Sequence, residues 1–245
     1  MEALRIAEPA DRPLVGGDEF PSDIGQQRFP VAKLQLFQDT YFNYAGDLFD
    51  QSGVMEASFP GATAYASRDV GRYQRRFDRR KDNCAVFDGS NLWITDQYSH
   101  FYYHWFCDAL PRLAAALASH RCQVKRLLLP RRVYDKQYVR DSLKFWPEIE
   151  LVVPPESGGH GIVENLLIST RVSETPMVHP EHVVTVADRY RLRTAQTANR
   201  QKKRRIYISR RNARVRRVEN EAEIKPVLDR FGIETIAMEE LPLDE

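Results

Sequence analysis

The sequence predicts an α/β protein, a parallel sheet covered by helices and followed by the start of a second β-α-β unit. Three observations carry that prediction. Short apolar runs alternate with longer amphipathic stretches between residues 84 and 170. Strand, helix and strand at that spacing need crossover connections, which belong to parallel sheets. The same order restarts near residue 203, with Arg204 to Ser209, Asn220 to Arg230 and Ile233 to Met238 as strand, helix and strand.

Taken in order, residues 1–30 are rich in Pro, Asp and Gly without periodicity and read as an irregular lead-in. Leu34 to Phe37 and Thr40 to Tyr44 read as short strands, with turns at Gly46 and Gly53. Residues 71–82 carry Arg72, Arg75, Arg76, Arg79 and Arg80 and read as a solvated, charged connector. Cys84 to Phe87 and Leu92 to Thr95 flank Asp88-Gly89-Ser90-Asn91, which predicts a hairpin with Gly in its turn.

Next comes the stretch around which the chain is organised. From Ser99, a candidate N-cap, to about His120 the spacing predicts a helix. Tyr102, Trp105, Phe106, Ala109, Leu110, Leu113 and Leu117 make its apolar face. His104, Asp108 and Arg112, four apart, make a polar stripe beside that face. Spacing alone favours a solvated edge with Asp108 and Arg112 as a surface ion pair. The chemical alternative is a His oriented by an Asp, with Arg112 free to hold a carboxylate or phosphate. Pro111 lies inside the pattern and is expected to kink the helix just after Asp108.

Val124 to Leu129 then reads as a buried strand, Tyr134 to Trp146 as a helix, Leu151 to Val153 as a strand and Asn165 to Thr170 as another. His160 sits in the Gly-rich loop between the last two and is a weak site candidate. Pro180 to Asn199 reads as a long polar helix bridging to the second unit, with Pro180 and Glu181 in its first turn. The expected division is 1–30 lead-in, 31–180 first α/β domain, 181–202 bridging helix and 203–245 the beginning of a second domain. Two strands and one helix cannot close a sheet or cover its faces.

Composition narrows the function classes. With 245 residues, 42% hydrophobic and 11% aromatic, the chain can bury a sizeable core. Cys84, Cys107 and Cys122 are odd in number and lack CxxC spacing, which argues against a zinc ribbon or disulfide framework and for a reducing compartment. No window reaches 18 apolar residues and no repeat is present, so membrane-span and solenoid readings fall away. The net charge of +2 conceals an asymmetry: Arg189 to Arg217 holds thirteen Lys or Arg and no acid, leaving the remainder at −11. Such a segment suits an anionic partner. Nucleic-acid binding is the rival class, yet only Tyr190 and Tyr207 are available for stacking and no recognition motif accompanies them. A non-catalytic scaffold is a third reading.

Two ordered blocks carry a family resemblance. Tyr103-His104-Trp105, then Asp108, then Leu110-Pro111-Arg112-Leu113 resembles the YHW-D-LPRL signature of glycosyltransferase family 61. Ile206-Tyr207-Ile208-Ser209-Arg210-Arg211, with Arg216-Arg217, Asn220-Glu221 and Leu228 to Gly232, is similar to a later segment of that family. The resemblance covers roughly residues 85–245 and is vague before that. It departs from the family in one respect: a His-Gly-Ala-Gly-type motif of the donor-binding half is not reached, so this chain alone is expected to be inactive.

The resemblance implies two Rossmann-like domains facing across a cleft (GT-B), here truncated. It also implies a glycosyltransferase of the bacterial capsular-polysaccharide type. Partners would then be a nucleotide sugar and a glycan acceptor, with no nucleic acid and no separate cofactor. The absence of a leader or anchor points to a cytoplasmic enzyme, with peripheral association at the inner membrane as an option. Sugar transfer needs a base for the acceptor hydroxyl and cations for the departing diphosphate. No two Asp stand two apart, so the Asp-x-Asp metal motif is absent and no metal is expected. Asp108 and His104 are the candidate catalytic residues. Arg210, Arg211, Arg216, Arg217, Asn220 and Arg112 are the candidate donor-binding residues, since guanidinium forks match phosphate oxygens without a metal. The oligomeric state is not legible.

Overall fold

The computed structural model describes residues 33–60, 65–66, 69–78, 84–119, 123–155, 160–173, 178–194, 204–212 and 217–241. The expected lead-in, 1–30, lies outside the described residues. Among the described residues nine strands form two sheets. The first holds β1 (Leu34–Phe42), β2 (Leu48–Asp50), β3 (Gly53–Val54), β4 (Ala85–Trp93), β5 (Arg126–Leu128), β6 (Glu150–Val152) and β7 (Gly161–Ser169) in the order β3-β2-β1-β7-β4-β5-β6. Strands β7, β4, β5 and β6 run parallel, and β1 to β3 add an antiparallel meander against β7. The α/β class therefore holds, with a mixed rather than purely parallel sheet. Strand order reverses at β4: β5 and β6 follow outward on one side, while β7 returns to the other.

Two sequence expectations fail in this sheet for identifiable reasons. The stretch read as a hairpin, Cys84 to Thr95, holds the single strand β4. Asp88 and Gly89 stand opposite Glu164 alone, because Phe87 pairs with Val163 and Ser90 with Asn165. Gly89 has φ +71, and its N–H donates to Glu164 Oε2 at 2.7 Å. A Gly with positive φ serves a bulge as readily as a turn, and pairing along β7 decides between them. The described part of the charged connector is a helix, α1 (Val70–Asp78), while Arg79, Arg80 and the rest of 79–82 lie outside the described residues. Its Tyr73 and Phe77, four apart, share a face. Phe77 stacks on Phe49 at 5.0 Å and Tyr73 meets Phe59 at 5.4 Å, while Arg72 and Arg75 stay exposed.

The organising helix, α2, runs in three consecutive pieces, Tyr102–His104, Trp105–Ala109 and Leu110–Ala118. Its start is Phe101, not Ser99, whose hydroxyl instead closes a turn on Asp96. The middle piece is a π turn: Leu110 N–H bonds to Trp105 O, and the α piece restarts with Pro111 in its first turn. The irregularity expected at Pro111 thus appears one turn earlier, as a widened turn spanning His104 and Asp108.

Trp105, Ala109, Leu110 and Leu113 are fully buried against Leu92 and Leu127 of the sheet and Ile94 and Leu129 just beyond its strands. Each large side chain removed from water in this way contributes about 1.5–3 kcal/mol. Trp105 Nε1 also donates to Ser142 Oγ at 2.7 Å, tying α2 to the next helical layer. That layer is two short helices, α3 (Arg131–Tyr134) and α4 (Gln137–Leu143), where one longer helix was expected. Phe42, Trp93, Leu128, Val163 and Ile168 form a core on the opposite side of the sheet.

Helix α5 (Pro180–Thr194) does more than bridge. Val186 is buried in the α2 core, Tyr190 packs edge-on to Phe145 at 4.6 Å, and Arg189 lies 4.0 Å over Trp146. The second sheet pairs β8 (Ile206–Ser209) with β9 (Glu234–Ala237) in parallel through α6 (Glu221–Arg230), which Gly232 closes at φ +61.

Candidate active site

Because β4 and β7 are parallel neighbours, the residues that follow each lie at the same edge of the sheet. Ligands of open α/β sheets sit there, where strand order reverses. Asp96 comes three residues after Trp93 and Arg171 two after Ser169. The first turns of α2 bring His104 and Asp108 to the same place.

The polar groups form one chain. His104 Nδ1 lies 2.6 Å from Asp108 Oδ2, and Arg171 donates to that same oxygen at 3.1 Å. The other end of the Arg171 fork bonds Asp96 Oδ2. Asp96 is held in turn by its Oδ1, which accepts from Tyr98 N–H at 2.9 Å and Ser99 Oγ at 3.2 Å. With a carboxylate as partner, Nδ1 carries the proton and donates it, so Nε2 holds the lone pair.

The two carboxylates are enclosed and their two partners are partly exposed. The side chains of Asp96 and Asp108 are 1% and 3% exposed, Arg171 is 15% and His104 is 17%. Arg171 and His104 therefore both reach solvent, and His104 is the member that can accept a proton. The surface-pair reading of Asp108 and Arg112 is overturned, since both are buried. Arg112 donates from Nε to Ser169 O at 2.8 Å, with its Nη2 on the same carbonyl, and Ser169 Oγ donates back to Arg112 O at 3.1 Å. Burial lowers its pKa to about 10, against a raising pull from Asp96. It fastens α2 to the end of β7 instead of offering its fork to a substrate.

Tyr103 titrates above the ordinary tyrosine value because it is desolvated and lies near Cys107 and Asp108. His100 Nδ1 donates to Gln97 O at 3.0 Å, which leaves Nε2 to accept from Arg132 at 2.8 Å. Burial foremost, then the Arg132 charge, lowers its pKa to about 4 against the raising pull of the Gln97 carbonyl, with Lys136 and His104 also lowering it. The unfolded chain binds this proton below about pH 6.5, whereas the folded one excludes it until about pH 4. Stability is thus expected to be complete above pH 6.5 and to decline as pH falls toward 4. Urea midpoints across that range should show a shallower decline for His100→Gln; identical profiles would remove His100 as the cause.

The basic candidates of the second sheet occupy a different unit. Arg210 follows β8 directly and is exposed. Arg211 and Asn212 both bind Glu240, at 2.6 and 2.9 Å, because the register Ser209–Ala237 sets the ends of β8 and β9 side by side. These bonds hold the Glu240 carboxyl below its ordinary pKa. Arg211 and Arg217 line an open groove of about 1170 Å³ along α6 and β9, together with Glu219, Glu221 and Lys225. Asn220 precedes α6 without a side-chain cap; its Nδ2 lies 3.3 Å from Glu223 Oε2. Arg216 lies outside the described residues.

Asp96 and Arg171 are the site residues that sequence reading missed. Each follows an apolar strand within three residues, a position where ligand contacts collect, but nothing local distinguishes them from other loop charges. No helix among the described residues is long and apolar enough to cross a membrane. The family model for glycosyltransferase 61 matches residues 102–245, which includes His104, Asp108, Arg112, Arg171 and Arg210 and excludes Asp96. No curated protein and no solved structure gives a significant match.

Proposed function

The chain belongs to glycosyltransferase family 61, and from that premise we propose that it moves a sugar from a nucleotide sugar to a glycan acceptor by metal-independent inversion, with His104 as base. The observation that carries the reading is the 2.6 Å contact between His104 Nδ1 and Asp108, which fixes the imidazole with its other nitrogen as acceptor. In the step, the acceptor O–H gives its proton to His104 Nε2 and its oxygen bonds to the anomeric carbon. The bond from that carbon to the diphosphate breaks, and the diphosphate leaves with the electron pair. Asp108 is enclosed and already accepts from two cations or donors, so it steadies the imidazolium and is not itself the base. Arg171 and Asp96 hold Asp108 in line.

Residues 31–180 would form the acceptor side of a GT-B enzyme, with 181–202 leading to the beginning of the donor-binding domain at 203–245. The exposure of Ile206 and Ile208 on β8 supports reading that unit as one layer of a larger domain. Arg210, with Arg211, Arg217 and Asn220 nearby, would hold the diphosphate at the end of β8. The setting would be surface or capsular polysaccharide synthesis at the cytoplasmic side of the inner membrane.

Calorimetry on the full-length protein with a nucleoside diphosphate, and with short DNA at two salt concentrations, tests this. The diphosphate should bind more tightly. Arg210→Ala should weaken it about ten- to hundredfold, the worth of one charge-assisted bond, and Arg210→Lys should recover part of the loss. Tighter DNA binding with a steep salt slope would make the chain a nucleic-acid binder instead.

A further inference from the structure

Three aromatic rings crowd His104, the partly exposed end of the polar chain. The His104 ring centroid lies 5.3 Å from that of Tyr98, 6.4 Å from Phe101 and 5.3 Å from Tyr103, and Tyr98 and Phe101 are 6.1 Å apart. Phe101 is 52% exposed and Tyr103 40%. Phe101 leans on His100 at 4.0 Å, yet half of its surface stays exposed. Phe101 gives no side-chain cap to α2, and the apolar face of the helix is already filled by Trp105, Leu110 and Leu113. The backbone that carries the rings is nevertheless held firmly. Phe101 N–H bonds Tyr98 O at 2.9 Å, Trp105 N–H bonds Phe101 O at 2.9 Å, and Tyr98 N–H bonds Asp96. Exposed apolar surface on a rigid support beside a reactive group marks a place where something docks.

We propose that Tyr98, Phe101 and Tyr103 form the platform on which a pyranose ring of the acceptor lies, presenting its hydroxyl to His104. This rests on the reading of His104 as base, because whatever the base deprotonates must sit beside it. Pyranose chemistry suits the place: one face of the ring carries C–H bonds that pack on aromatic faces, and the edge carries the hydroxyls. A nucleobase suits it less. A flat base is best held between parallel rings, and these three are tilted from the imidazole by 46°, 53° and 89°. Tyr102 belongs to another cluster, packed on Phe106 and Tyr138, and Trp105 is fully buried, so neither contributes.

The test uses saturation-transfer NMR on the full-length protein with the methyl β-pyranosides of glucose, galactose and xylose in turn. A parallel titration uses uridine, guanosine and cytidine diphosphates. Saturating protein aromatic protons should transfer to the C–H protons of one sugar face for at least one pyranoside. Phe101→Ala with Tyr103→Ala should abolish the transfer and leave nucleotide binding unchanged, while Phe101→Trp should keep both. The replaced side chains are exposed, so thermal midpoints should match the parent and confirm that the variants fold. If a nucleotide binds but no pyranoside shows transfer, the platform is wrong and the transferase reading stands. If Phe101→Ala instead weakens the nucleotide, the rings hold a base and the proposal is overturned. If neither ligand class binds, the transferase reading falls with it.

Discussion

Replacing His104 with alanine is expected to lower turnover by about 10²–10⁴-fold, the range contributed by a positioned general base. The side chain is the outermost member of the Asp96–Arg171–Asp108–His104 chain, and its tautomer is set by Asp108 at 2.6 Å. Loss of the imidazole removes the proton acceptor without touching the second sheet, so binding of a nucleoside diphosphate should be unchanged. The loss belongs in kcat, because the base acts on the developing transition state more than on bound acceptor. Asp108→Asn should give a smaller but large loss: an amide can present its NH₂ to Nδ1 and favour the wrong tautomer. The measurement is release of nucleoside diphosphate from a nucleotide sugar in the presence of acceptor, by the full-length enzyme. If His104→Ala keeps turnover within tenfold of the parent, the base lies elsewhere and the chain of contacts is structural.

Removing Arg171 should cost more stability than any surface change. Its fork is shared between Asp96 and Asp108, which are 1% and 3% exposed, and Arg171 itself is 15% exposed. Arg171→Ala would leave two enclosed carboxylates without the cation they share, and Arg112, 4.0 Å from Asp96, is more distant. Truncating one partner of a buried ion pair costs about 3–5 kcal/mol, because an uncompensated charge stays in low dielectric. Arg171→Ala combined with Asp108→Asn should be less destabilised than the two single changes added together, since the second substitution removes the stranded charge. Urea denaturation gives all four corners of that cycle. A cost below about 1 kcal/mol for Arg171→Ala would mean the pair behaves as a solvated surface bridge.

The amino-acid order by itself determined whatever depends on neighbours within a turn or two. Helical periodicity marked α2, and the four-residue spacing put His104 beside Asp108, because residues one turn apart share a face wherever the helix lies. Strand, helix and strand over 203–245 were legible for the same reason, with Gly232 closing α6. Tertiary structure decided the rest. Gly89 allows a hairpin or a bulge equally, and only pairing with Glu164 selects the bulge. Residues 71–78 are too polar to announce a helix until Phe49 and Phe59 offer Phe77 and Tyr73 a surface. Burial turned Arg112 from a free fork into a tie on Ser169. Arg171 meets Asp96 across 75 residues and Asp108 across 63, a contact no local pattern encodes. It exists because β7 returns to lie parallel beside β4, so that the chain leaves both strands at one edge, above the turn where α2 delivers its histidine.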